Sequence, residues 1–184
     1  MKIMLFVQLT GLSGSGKTTL SERVANRLTK LGYRVEVLDG DLYRRRLWPE
    51  LTFSASDRQE NIRRLGFIGQ RMTHHGLIVI LAAINPYEHV RAELSALIPR
   101  SKLVFIHCDL PTLCRRDTKG LYARSLLPPD HIDKITNLTG INDPYEPPLW
   151  PDLLIDTGIE TEENSEEKLL NAMMNWLKTK SSDD

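Results

Sequence analysis

The sequence has no long apolar run, no excess of charge of either sign and only two cysteines among its 184 residues. The apolar stretch from Ile3 to Leu9 is too short to cross a bilayer, and it leads into glycines rather than a signal cleavage site. We therefore expect a cytoplasmic protein with no membrane partner. Because 24 basic residues balance 24 acidic ones, whereas nucleic-acid-binding domains are usually basic, we also expect no nucleic-acid partner.

Other absences narrow the class of protein further. Cys108 and Cys114 form no CxxC pair, and the histidines show no zinc-site spacing, so we assign both thiols to structure. The chain lacks an NKxD motif for guanine, which argues against a switch-type GTPase. It also lacks internal repeats and a linker, so we expect residues 1–184 to form one domain with a core of ordinary size.

Apolar runs alternate with stretches of helical period along the chain. Strands are predicted at 3–10, 35–38, 77–84, 102–108 and 153–155, and helices from residue 20 to 31, from Ser54 or Ser56 to about 76, from Pro86 to about 97, from Pro111 to about 117, and from Glu166 to Lys178. This alternation predicts a three-layer α/β/α fold of the P-loop kinase type with a five-stranded parallel sheet. The proline-rich stretch 118–151 is predicted to be an irregular lid loop, and Asp39 to Asp41 an acidic turn.

A glycine-rich loop joins the first predicted strand to the first predicted helix. Gly11 to Thr18 spell GxxxxGK[ST], whose glycines let backbone N–H groups converge on phosphates at a helix N-terminus. Lys17 is expected to reach the β and γ phosphates, and Thr18 to ligate Mg²⁺. The predicted nucleotide-binding residues are Gly11, Ser13, Gly14, Ser15, Gly16, Lys17, Thr18, Thr19 and Arg116. This pattern predicts binding of ATP or GTP without identifying the acceptor.

Two carboxylates, Asp39 and Asp41, follow the second predicted strand. Ligands bind at the carboxyl edge of such sheets, so these side chains are candidates to orient an acceptor hydroxyl or to hold a metal. We predict catalytic roles for Lys17, Asp39 and Asp41, with Asp41 and Thr18 as metal ligands. The alternative for Asp39 is that it only caps a turn around Gly40.

Several motifs in order along the chain resemble those of adenylylsulfate kinases. They are GLSGSGKTT from Gly11, LDGD from Leu38, FSASDRQENIRR from Phe53, NPY from Asn85, RDTKGLYA from Arg116 and LTGINDPYEPP from Leu138. The resemblance implies ATP- and Mg²⁺-dependent phosphorylation of the 3′-hydroxyl of adenylyl sulfate in sulfate activation, with a homodimer as a possible assembly. It implies acceptor contacts from Asp39, Asp41, Arg44, Phe53, Arg58, Asn61, Ile84, Asn85, Lys119, Leu138 and Thr139, with Phe53 stacking on adenine and Lys119 in a mobile lid.

The acceptor-side motifs depart from the usual family pattern. Leu42 and Trp48 stand where asparagines are usual, Asn85 replaces a serine, and Leu138 replaces an aromatic residue. A related kinase for another nucleotide-linked anion, such as a cytidine diphosphoramidate, is therefore an alternative, as is a non-catalytic ATP-binding regulatory module. Arg44, Arg45 and Arg46 could instead form a solvated basic face, and Phe53 could belong to the core.

Overall fold

The computed structural model describes residues 4–179, and a parallel sheet runs through its centre. The strands are β1 (Leu5–Thr10), β2 (Val35–Asp39), β3 (Ile78–Ala82), β4 (Ser101–His107) and β5 (Leu153–Asp156). They are hydrogen-bonded in the order β2-β3-β1-β4-β5, and every pairing is parallel. These boundaries lie within two residues of the predicted ones, except that Ile3, the predicted start of the first strand, lies outside the described residues.

Helices cover both faces of this sheet. They are α1 (Lys17–Lys30), α2 (Gly40–Leu47), α3 (Ala55–His74), α4 (Glu88–Leu97), α5 (Leu110–Arg116), α6 (Leu121–Ser125) and α7 (Glu162–Lys178). Leu20 and Val24 of α1 and Leu169 of α7 pack on one face, whereas α3 and α4 pack on the other. The predicted three-layer α/β/α fold is confirmed.

The central strand β1 is buried along its whole length, as an apolar strand between two helical layers should be. Its residues alternate between the two layers, so that Val7 faces α1 and α7 while Phe6 faces α3. Close packing of α3 depends on Gly69, where an added Cβ would lie 2.4 Å from the Phe6 ring. The sheet order places the ends of β1, β2 and β3 at one edge.

Four predictions from the sequence need correction. The predicted turn at Asp39 to Asp41 is the start of helix α2, and the predicted irregular lid contains the short helix α6. Helix α7 begins at Glu162 rather than Glu166, because the Thr161 side chain accepts a hydrogen bond from the Asn164 amide and caps it. Cys108 is buried, but Cys114 is exposed and so contributes nothing to the core.

No helix within residues 4–179 has both the length and the apolar character needed to cross a membrane.

Candidate active site

The phosphate loop lies between β1 and α1, as its pattern predicts. Gly11, Gly14 and Gly16 all have positive φ, and Gly16 is the N-cap of α1. At Gly11 an added Cβ would lie 2.2 Å from the carbonyl oxygen of Ile106 in β4. A side chain there would therefore push the loop off the sheet edge, which explains why glycine is needed at this position.

Lys17 folds back over the phosphate loop. Its ammonium donates to the carbonyl oxygens of Gly11 and Leu12, each at 2.8 Å. Burial lowers the pKa of Lys17 to about 8, an effect that the nearby carboxylates of Asp41 and Asp39 oppose. The direct hydrogen-bond partners of the ammonium are thus uncharged, and an anionic ligand would be a stronger partner than these carbonyls.

Two hydroxyls from other parts of the chain brace the phosphate loop. The Tyr122 hydroxyl, from α6 of the lid segment (residues 118–151), donates to the Ser13 carbonyl oxygen at 2.7 Å. The Thr157 hydroxyl, just after β5, lies 3.0 Å from the Ser15 carbonyl oxygen. The carbonyl oxygens of Ser13 and Ser15 are therefore engaged by hydroxyls from two other segments, so neither carbonyl is left to face an anionic ligand.

A cavity of about 380 Å³ opens over the loop. Most of the predicted nucleotide-binding residues line it, namely Ser13, Gly14, Gly16, Lys17, Thr18, Thr19 and Arg116. Gly11 and Ser15, although part of the loop, do not line the cavity. Arg116 is fixed by a 2.7 Å bond to the Thr157 carbonyl oxygen. We call this space the donor cavity.

The donor cavity also includes residues that the sequence analysis missed. Thr157, Glu160 and Ser165, on the segment from the end of β5 into α7, line its far end together with Arg23. Their position directly after β5 could have indicated them, because ligands bind at the ends of parallel strands and β5 was correctly predicted.

Asp39 and Asp41 face the phosphate loop from the end of β2. One oxygen of Asp39 accepts the amides of Asp41 and Leu42, which caps α2, and the other accepts the Thr18 hydroxyl at 2.8 Å. Asp39 therefore makes a contact with Thr18 in addition to capping α2, and its catalytic role stays a prediction. Asp41 binds the ammonium of Lys119 at 2.7 Å. Although burial opposes it, that contact holds the pKa of Asp41 below its usual value, so Asp41 is charged at neutral pH.

The oxygen atoms beside the loop suit magnesium. The Thr18 hydroxyl, Asp39 and Asp41 offer hard oxygen ligands, and Asp41 already carries a cationic partner in Lys119. Among residues 4–179 no group of three or more His, Cys, Asp or Glu side chains could enclose an ion. Such an open set fits Mg²⁺, which usually keeps waters and takes phosphate oxygens.

A second, smaller cavity of about 40 Å³ adjoins the first. It is lined by Gly40, Asp41, Arg44, Arg58, Asn61, Ile62, Ala83, Ile84, Asn85 and Pro86, a set that includes six of the predicted acceptor contacts. The two cavities share Asp41, Ala83 and Ile84. We call the smaller space the acceptor cavity, and Asp41 stands at the boundary between the two.

Two buried guanidinium groups give the acceptor cavity a positive character. Burial lowers the pKa of Arg44, and repulsion from Arg58 lowers it further. Arg45 and Arg46 are exposed, so the alternative of a solvated basic face fits them but is wrong for Arg44. Both buried guanidinium groups lie over the Phe53 ring, at 4.7 Å and 5.5 Å from its centroid. Phe53 is 52% exposed, which rules out a core role and leaves ring surface for a ligand.

Asn85 is held rigidly at the rim of the acceptor cavity. It has a φ of 42°, and its amide nitrogen donates to the Gln8 side-chain oxygen at 3.2 Å. Gln8 in turn donates to the Arg91 carbonyl oxygen and to Ser95. Because a carbonyl oxygen can only accept, this chain of bonds fixes the orientation of both amides.

Leu138 and Thr139 do not line either cavity. Leu138 packs with Cys108, Leu113 and Tyr122 in an apolar cluster behind the phosphate loop, and Thr139 is buried beside it. Leu138 is only 6% exposed because its apolar side chain is covered by this cluster. Any contact of these two residues with an acceptor stays a prediction.

The chain is similar to known proteins along most of its length. A family model described as adenylylsulphate kinase matches residues 4–156. An adenylyl-sulfate kinase of Chloroflexus aurantiacus is 48% identical over 155 residues, which cover 84% of this chain and 81% of that protein.

Solved structures agree with this similarity. An APS kinase of Mycobacterium tuberculosis in complex with AMPPNP and APS has a TM-score of 0.87 and 33% identity, and covers 95% of this chain and 99% of its own. A hexameric APS kinase from Thiobacillus denitrificans has a TM-score of 0.70 and 29% identity, over 97% of this chain and 31% of that one.

Proposed function

The chain belongs to the adenylylsulfate kinase family, and on that premise we propose that it transfers the γ-phosphate of ATP to the 3′-hydroxyl of adenylyl sulfate. The product is phosphoadenylyl sulfate, the other product is ADP, and the reaction belongs to sulfate activation. The observation that carries this proposal is the junction of the two cavities at Asp41. A triphosphate on the phosphate loop and an anionic nucleotide between Arg44 and Arg58 would meet at that carboxylate.

Residues at the two cavities have different roles in the proposed reaction. Loop amides and the Lys17 ammonium bind the phosphates, and Arg44, Arg58 and Phe53 bind the acceptor's anion and base. The acceptor oxygen forms a bond to the γ-phosphorus while the bond to the β-phosphate oxygen breaks. Asp41 accepts the hydrogen bond of the attacking hydroxyl, orients it and takes its proton as the new P–O bond forms, and the loose transition state otherwise depends mainly on positioning.

We propose that Thr18 and Asp41 hold Mg²⁺, with Asp39 next to them. When bound, the ion supplies positive charge to the β- and γ-phosphate oxygens. Lys119, now on Asp41, belongs to the lid segment, and its ammonium would then be available to the phosphates. A homodimer, a cytoplasmic location and a single domain over residues 1–184 remain predictions.

A comparison of acceptors tests the proposed function. Purified protein with ATP and Mg²⁺ should release ADP when adenylyl sulfate or its 2′-deoxy form is added, but not with 3′-deoxy adenylyl sulfate. Mass spectrometry should find one phosphate added to the acceptor. Release of ADP only with a cytidine-linked anion would support the alternative kinase, and ATP binding without ADP from any acceptor would support a regulatory module.

A further inference from the structure

A buried tryptophan sets the orientation of one amide of the acceptor cavity. Trp48, the C-cap of α2, is 6% exposed, and its indole nitrogen donates to the side-chain oxygen of Asn61 at 2.6 Å. Asn61 lies on α3 and lines the acceptor cavity. Trp48 occupies a position where adenylylsulfate kinases usually have asparagine.

The chemistry of the indole leaves only one orientation for that amide. An indole N–H can donate but cannot accept, so the Asn61 oxygen must face Trp48 and the amide nitrogen must point away. Within residues 4–179 this nitrogen has no hydrogen-bond partner in the protein. It is also not one of the polar atoms that are completely buried without a partner. It is therefore accessible on a residue that lines the acceptor cavity.

The tryptophan itself is held in place from its other side. The Arg64 guanidinium lies 5.7 Å from the ring centroid, and Arg64 is paired with Glu50 and Glu60. Trp48 also packs in the apolar cluster with Ile62 and Leu65 of α3. The indole thus has little freedom to turn its N–H away from Asn61.

We propose that Trp48 is a positioning residue for the acceptor, because it turns the Asn61 amide so that Arg44, Arg58 and Asn61 present only hydrogen-bond donors to the cavity. Such a set matches the anionic oxygens of an acceptor such as adenylyl sulfate. An amide turned the other way would place its oxygen beside those anionic oxygens and repel them. The inference rests on the proposed function and adds to it a residue outside the cavity wall.

Kinetics of Trp48→Phe, which keeps the aromatic packing and removes the N–H, test this role. We expect the KM for adenylyl sulfate to rise about three- to tenfold, the net effect of one hydrogen bond. The kcat and the KM for ATP should stay within twofold of wild type. Trp176→Phe is the matched control, since Trp176 lies on α7 and lines neither cavity, and it should leave all three constants unchanged.

A double-variant cycle separates positioning from packing. In an Asn61→Ala background, Trp48→Phe should cause no further rise in the KM for adenylyl sulfate. An equal rise in both backgrounds, or no rise in either, overturns the positioning role. If the wild-type protein does not use adenylyl sulfate, the proposed function falls and this inference falls with it, so the two failures are distinguishable.

Nuclear magnetic resonance gives a readout that needs no turnover. The chain has three tryptophans, so the indole N–H signal of Trp48 is the one that persists in both Trp150→Phe and Trp176→Phe, and it should shift in Asn61→Ala because its acceptor is gone. An unchanged indole signal in Asn61→Ala means that the hydrogen bond does not exist and overturns the proposal. This measurement also covers the case in which Trp48→Phe fails to fold.

Discussion

The donor and acceptor cavities share a wall but are built in different ways. The donor cavity, about 380 Å³, surrounds a loop whose backbone would bind the ligand, and the acceptor cavity, about 40 Å³, is bounded by side chains from α2, α3 and the end of β3. A backbone site needs glycines and a lysine at fixed spacing, and it tolerates change elsewhere. In a site built from side chains, the orientation of each lining residue depends on the residues that contact it, as the Asn61 amide depends on Trp48.

The largest expected effect tests the donor side. Lys17→Ala should reduce kcat by about 10²–10³-fold, the usual cost of removing one charged group aimed at a transition state. The KM for adenylyl sulfate should change little, because Lys17 does not line the acceptor cavity. ADP release measures both constants. Lys30→Ala, at the exposed end of α1, serves as the control, and a kcat of Lys17→Ala within threefold of wild type would contradict the assignment.

An intermediate effect is expected on the acceptor side. Arg44→Ala should raise the KM for adenylyl sulfate about 10- to 100-fold through loss of a charge-assisted hydrogen bond, while the KM for ATP stays constant. The neighbouring Arg45→Ala is a matched control, because Arg45 is exposed and lines neither cavity. Equal effects of the two variants would mean that general positive charge, rather than the buried guanidinium, attracts the acceptor.

The smallest effect is a pH dependence confined to the donor side. The pKa of Lys17 is about 8, and a bound triphosphate favours the charged lysine and raises that value. ATP should therefore bind most tightly below pH 8, and its Kd should be about tenfold higher at pH 9 than at pH 7. Calorimetric titration measures both values.

Lys17→Arg provides the control for this pH effect. Arginine keeps its charge across the range, so the difference between pH 7 and pH 9 should disappear. Equal ATP affinity of the wild-type protein at the two values would show that Lys17 does not titrate there.

The fold and the donor cavity could be predicted because their signals are local in sequence. Buried strands appear as apolar runs, and the phosphate loop is one continuous stretch from Gly11 to Thr18. Helix α2 was missed because it has only eight residues, three of them arginines, and because its start depends on the Asp39 cap. Thr157 and Glu160 were missed because neither belongs to a motif.

The sequence predicted which residues line the acceptor cavity, but not how their side chains are oriented. Arg44, Arg58, Asn61 and Asn85 were named from motif positions, and all line the cavity. Their orientations, however, depend on partners such as Trp48 and Gln8, which lie on other elements. Periodicity and spacing carry no information about such pairs, since each is fixed only when the helices pack on the sheet.

Two hydrogen bonds connect the phosphate loop to helix α6 and to the segment after β5. Tyr122 and Thr157 hold the Ser13 and Ser15 carbonyl oxygens, so a nucleotide that tilts either peptide must carry the hydroxyl along or break its bond. A shift of the Ser13 peptide on nucleotide binding would therefore pull on helix α6 through the Tyr122 hydroxyl. The same helix lies in the segment that carries Lys119, so phosphate binding and the position of Lys119 would be coupled.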